Sequence, residues 1–171
     1  TDSITGLTPT IDVSTDTELL DTDGNIIANP FTTFAMQYDG NKTRAMGKVA
    51  DAFGLTTADL VRQIKDTAAD AALENKGRML GQLLKAAKAQ NSMQALTDAI
   101  DDSNGTATFG ELLTELNAAL PVALMTPAQI TTSAANINKQ PSEFAKESAL
   151  FDQAVLDGNS TNYVVQTVVN E

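Results

Sequence analysis

Cysteine, histidine and tryptophan are all absent from the 171 residues. Without cysteine there are no disulfides, thiol nucleophiles or thiolate metal sites. Without histidine the chain loses the usual general base near neutral pH and the commonest transition-metal ligand. Any metal would therefore be a hard cation held by oxygen. Aromatic residues make up only 5% of the chain. A core so poor in rings must be built largely from Ala and Leu, which favours helices. No apolar run approaches the roughly 18 residues that carry a helix across a bilayer. Lys and Arg total 11 against 22 Asp and Glu, for a net charge of −11. Duplex nucleic acid is a poor partner for such a chain, because binding it demands a basic surface.

Catalysis without His or Cys would need paired carboxylates or a Ser–Lys pair. No S-x-x-K, G-x-S-x-G or G-x-x-x-x-G-K occurs. The acids form no recognisable constellation, and with two Tyr and no Trp the rings available to stack on a sugar reduce to Tyr38 and Tyr163. The chemistry reads as non-enzymatic.

The charge is unevenly spread. Residues 1–41 hold seven acids and no base, residues 42–88 nine bases and five acids, and residues 89–171 ten acids and two bases. A basic middle between acidic flanks is expected to be neutralised within one fold, or else to dock an acidic partner.

Along the chain, residues 1–17 read as an extended lead-in, with "TIDV" as a short strand. Asp23-Gly24 between apolar runs predicts a hairpin over 18–28. Helices follow. Asn29 is placed to cap a helix whose first residue is Pro30. "NKTRAMGKVADAFG" carries Ala45, Met46, Val49 and Phe53 at helical spacing and stops at Gly54. Thr56 or Thr57 starts "TTADLVRQIKD", with Leu60, Val61 and Ile64 inward. Residues 67–90 give the longest helix, with Leu73, Leu80, Leu83, Leu84 and Ala87 on one face. Lys76 lies in the middle of that face, where it either snorkels or meets a buried ion-pair partner or ligand. Ser92 is placed to cap a helix bearing Met93, Leu96 and Ile100. "ELLTELNAAL" ends at Pro121, and Thr126-Pro127 opens another helix. A last helix, "PSEFAKESALFDQAVLDG", puts Phe144, Leu150, Phe151, Val155 and Leu156 in the core. "NYVVQTVVNE" is strand-like.

The pattern thus predicts a mainly α fold: a multi-helix bundle with a small β-hairpin near the N-terminus and a short C-terminal strand. It reads as one domain over 1–171, comprising a lead-in (1–28), a bundle (29–158) and a tail (159–171). Beginning at Thr1 rather than Met, it reads as a mature or excised piece of a longer chain.

Two stretches have the oxygen spacing of a calcium loop. In "DDSNGTATFGELL", setting Gly105 at the sixth position of a twelve-residue loop puts Asp102 third, Asn104 fifth, Thr106 seventh, Thr108 ninth and Glu111 twelfth. This resembles the exit half of an EF-hand. Ile100 stands where the first acid belongs, so Asp101 serves only if the loop is shortened by one. If calcium binds, Asp101, Asp102, Asn104 and Glu111 supply the side-chain oxygens. The same residues also spell a turn followed by a capping box, with Thr108 and Glu111 reciprocally bonded. The cap is the favoured reading, and no cofactor is required. In "DTDGN", Asp21, Asp23 and Asn25 alternate as oxygen donors, though no acid stands at a twelfth position, and a plain Asp-Gly hairpin, which needs no ion, is the favoured reading.

The run from Glu18 to Leu60 resembles a segment of large secreted proteins and lipoproteins of Gram-negative bacteria. The matching elements are the D-x-D-G-N turn at Asp21 to Asn25, Asn29-Pro30 with Thr32-Thr33, and the run Lys48 to Leu55. The resemblance implies export, a place among neighbouring domains of a longer chain, and a helical bead acting as spacer, adhesive or binding module for a surface protein or glycan. The alternatives are a calcium-responsive regulatory module and a carbohydrate-active accessory domain.

Overall fold

The computed structural model describes residues 27–37, 41–62, 68–103, 105, 107–141 and 143–144. Seven α-helices occupy the described residues, and no strand occurs among them. They are α1 (Pro30–Ala35), α2 (Lys42–Phe53), α3 (Thr57–Leu60), α4 (Ala71–Ala89), α5 (Met93–Asp102), α6 (Phe109–Ala118) and α7 (Pro127–Ala135). The fold is mainly helical, as the pattern predicts. None of these helices is long and apolar enough to cross a membrane.

Six residues make a helix too short to persist on propensity, so α1 is held by its cap and its packing. The side chain of Asn29 accepts from the Thr32 backbone N–H at 2.9 Å, and the Thr32 hydroxyl accepts from the Asn29 N–H at 3.0 Å. The Asn29 amide also donates to the Leu60 carbonyl at 2.6 Å, fixing the start of α1 to the end of α3. Phe31 and Phe34 are fully buried. The Phe31 ring meets Phe53 edge to face, with centroids 5.6 Å apart, and its other edge lies over Gly77 of α4. A Cβ at Gly77 would stand 3.1 Å from Phe31 Cε2, so the absence of a side chain lets α1 reach α4.

The expected inward face of α2 is buried. Gly54, at φ 62°, ends the helix in the left-handed region, where glycine carries no Cβ penalty. All five expected core positions of α4 are buried. Helix α2 packs on α1, α3, α5 and α6; α1 also packs on α4, α5 on α4 and α6, and α6 on α7. One continuous apolar cluster therefore runs from Phe31 to Phe144.

Several boundaries differ from expectation. Helix α4 begins at Ala71 rather than 67, after a turn at 68–70. Its preceding residue Asp70 makes no side-chain cap, and instead binds Arg62 at 2.7 Å. Helix α3 stops at Leu60, where Val61 leaves helical geometry with φ −115°. Ser92 does not cap α5; its hydroxyl faces the Ala87 carbonyl at 3.4 Å. The predicted hairpin meets the described residues only at 27–28, which are neither helix nor strand. Of the last predicted helix, only Pro141, Glu143 and Phe144 are described, all helical. The C-terminal strand and Ile64 lie outside the described residues.

Candidate functional site

The stretch with the strongest calcium-loop spacing joins α5 to α6. Two of its acids, Asp101 and Glu111, are engaged by other residues of the chain. At the C-terminus of α5, Lys48 of α2 donates to the Asp101 carbonyl at 3.1 Å, a cation at a helix end. The Asp101 carboxylate stands 3.9 Å from both Arg44 and Lys48. Asp102 is exposed at the helix end. Gly105 takes φ 69°, and a Cβ there would stand 2.9 Å from the Asp51 carbonyl. The loop thus lies against the end of α2 on bare backbone.

Glu111 closes the loop as a cap. One of its carboxylate oxygens accepts from the Thr108 backbone N–H at 2.7 Å and from the Thr108 hydroxyl at 2.8 Å. The Glu111 N–H donates back to the Thr108 hydroxyl at 3.3 Å. The backbone bond, followed by the hydroxyl bond, holds the Glu111 carboxyl below its ordinary pKa. With the folded value depressed, the stabilisation is present above the unfolded carboxylate range and is lost as pH falls through the folded value. Thr108→Val is expected to lower the melting midpoint by roughly 2–5 °C near neutral pH. That deficit should shrink in acid, where the protonated glutamate no longer bonds as an anion. An equal deficit at about pH 7 and about pH 3 would count against the hydroxyl bond to the Glu111 carboxylate, because the Glu111 N–H bond to Thr108 is lost at either pH.

Among the described residues, no group of three or more acids comes together in a way that could hold a metal ion. Asn104 and Thr106 lie outside the described residues, as do Asp21, Asp23 and Asn25 of the second stretch, and Tyr38 and Tyr163.

Among the described residues, Lys76 meets a backbone carbonyl and a ring rather than a buried carboxylate. Its ammonium donates to the carbonyl of Phe53, the last residue of α2, at 2.7 Å. It also stands 5.7 Å from the Phe109 ring centroid. Burial pushes its pKa below the ordinary lysine value. Lys76 thus joins α4 to α2 and α6.

Sequence reasoning missed a set of amide side chains that hold distant backbone. Asn75, fully buried, donates to the carbonyls of Ile137 and Lys139 at 2.9 and 2.8 Å. Gln90 both accepts from and donates to the backbone of Val122, at 2.7 and 3.0 Å. Asn117 does the same to Met125, at 2.8 and 2.9 Å. The available signal was an amide on an apolar helix face, which must find partners when buried. The Gln90 and Asn117 bonds hold the connection between α6 and α7, and beside it lies an open groove of about 820 Å³. Its lining includes Phe109, Ala118, Met125, Pro127, Ile130 and Ala134. The signal here was the chain itself, since residues 116–138 carry no charge.

No family model matches this chain, and no curated protein or solved structure matches it either.

Proposed function

We propose that this chain is a non-enzymatic extracellular helical module of a Gram-negative surface or secreted protein, acting as spacer, adhesive or binding domain beside neighbouring modules. The observation that carries the reading is the role of the motif residues inside the described structure. Asn29, Pro30 and Thr32 build the start of α1, and Val49 to Leu55 build the end of α2 with its glycine stop. The Leu55 N–H returns to the Ala50 carbonyl at 2.8 Å. A motif whose residues set a helix start and a helix stop belongs to a structural bead rather than a reacting centre. The test is protease shaving of intact cells that express the full gene product with an epitope tag in this module. Loss of the tag from intact cells supports the reading, and retention of the tag inside unbroken cells sinks it.

The left-handed Gly105 favours a second reading, calcium response, because calcium loops of this length need a glycine at their sharp turn. Binding would draw Glu111 away from Thr108 and Asp101 away from Lys48. An ion that binds only the folded chain raises stability by RT ln(1 + [L]/Kd). The spacer reading expects the same melting midpoint in millimolar calcium and in chelator. A rise in calcium that Glu111→Gln abolishes would establish the second reading instead.

A further inference from the structure

Asparagine followed two residues later by Ser or Thr, with no Pro between, is the acceptor pattern for N-linked oligosaccharide. It occurs three times in the chain, as Asn41-Lys42-Thr43, Asn104-Gly105-Thr106 and Asn159-Ser160-Thr161. In each case an aspartate stands two residues before the asparagine: Asp39, Asp102 and Asp157. Aspartate fills only 15 of the 171 positions, so three coincidences out of three mark a five-residue pattern rather than scattered pairs. The first copy alone has both its asparagine and its threonine among the described residues.

The geometry of that copy suits an acceptor. Asn41 and Thr43 are both exposed at the start of α2. Asn41 is extended, with φ −115° and ψ 95°, and its Oδ1 caps the helix by accepting from the Arg44 N–H at 2.9 Å. Its Nδ2, the atom that would carry the sugar, has no partner among the described residues, and neither has the Thr43 hydroxyl. By contrast, Asn29, Asn75 and Asn117 commit Nδ2 to backbone carbonyls. An amide divides its work between an accepting oxygen and a donating nitrogen, so substitution at Nδ2 leaves the cap in place. The Arg44 and Ala45 N–H groups close the first turn on Asn41, and a helix end opens locally at low cost. The pair can therefore enter an enzyme in non-helical form while the bundle stays folded.

We propose that Asn41 is an N-glycosylation site, with Thr43 as the hydroxyl that positions its amide. Nδ2 attacks the anomeric carbon of an oligosaccharide carried on a lipid diphosphate. The carbon–Nδ2 bond forms as the carbon–oxygen bond to the diphosphate breaks. The lipid diphosphate leaves with the bonding electron pair, and one amide proton passes to a base of the transferase. The proposal rests on the export reading, since the lipid-carried donor is met on export.

The test uses the cells that carry the gene, with the tagged full gene product purified from them. Mass spectrometry of the peptide containing Asn41 is expected to find saccharide on that residue. Asn41→Asp, which keeps a capping oxygen and removes the accepting nitrogen, should abolish it. Thr43→Ala should abolish it and Thr43→Ser should keep it, at an exposed position where neither change touches the core. A bare Asn41 in a module that protease removes from intact cells overturns the proposal and leaves the export reading standing. A bare Asn41 in a module that protease cannot reach overturns both. Saccharide that persists in Thr43→Ala, or that sits only on the other two asparagines, also overturns the assignment.

Discussion

Phe31→Ala is expected to lower the unfolding free energy by about 3–5 kcal/mol in a denaturant titration, close to the limit of what one truncation costs. The ring is fully buried, it contributes an edge-to-face pair with Phe53, and its far edge fills the space above Gly77. Truncation removes all three at once, and the cavity cannot collapse easily. Asn29 fixes the entry of α1 through its cap and through Leu60, so the helix is not free to sink into the space. Much of what holds α1 would go, because six residues have little helical stability of their own. A loss of less than about 1 kcal/mol would mean that the α1–α4 contact is not a principal support of the core.

The same contact makes a second-site experiment informative. Gly77→Ala alone sets an intrinsic helix gain of about 1 kcal/mol against a methyl placed near a ring that is pinned on its other side. A Cβ 3.1 Å from Phe31 requires a ring held by Phe53 to move, so the single change is expected to destabilise. In the Phe31→Ala background the obstacle is gone, and Gly77→Ala should stabilise by about 0.5–1 kcal/mol. The reversal of sign is the diagnostic. The same sign in both backgrounds would show that the glycine serves something other than the close approach of α1.

The features legible in the sequence are those whose cause lies within a few residues. Asn29, Thr56, Thr108 and Thr126 each bond a backbone N–H three residues on, so type and spacing alone revealed the four helix starts. Gly54 announced a stop for the same reason. Ser92 shows the boundary of that logic: the residue type was right, but its hydroxyl turned back to Ala87. Asp70 likewise followed a longer-range attraction, to Arg62, and the helix it precedes began later than its apolar pattern. The candidate site divides along the same line. Glu111 could be read because its partner is Thr108. Asp101 could not, because Arg44 and Lys48 are more than fifty residues upstream and nothing in the local sequence names them. Lys76 was placed correctly on the apolar face, yet its carbonyl and ring partners come from two other helices.

Amide side chains stand furthest outside that local logic, and Asn117 is expected to matter most among those joining α6 to α7. Its side chain takes the Met125 N–H and gives to the Met125 carbonyl, completing a two-bond pair of the kind neighbouring strands make. Asn117 is 8% exposed and Met125 4%, so water cannot replace either bond. Asn117→Leu is expected to cost about 2–4 kcal/mol, chiefly through two backbone groups left buried without partners. Gln90 makes the same pair of bonds to Val122, but Val122 is 68% exposed. Gln90→Leu should therefore cost less than about 1 kcal/mol, because solvent takes over both backbone groups. Geometry is nearly constant between the two pairs and burial is not, so urea titrations of the two variants separate the hydrogen bond from its surroundings. Similar losses in both would mean that the bonds themselves, rather than the cost of leaving them unmade, hold the α6–α7 connection. With Asn117 removed, the connection from 119 to 126 would no longer be held to α6 by Met125, and the groove beside it would lose one wall.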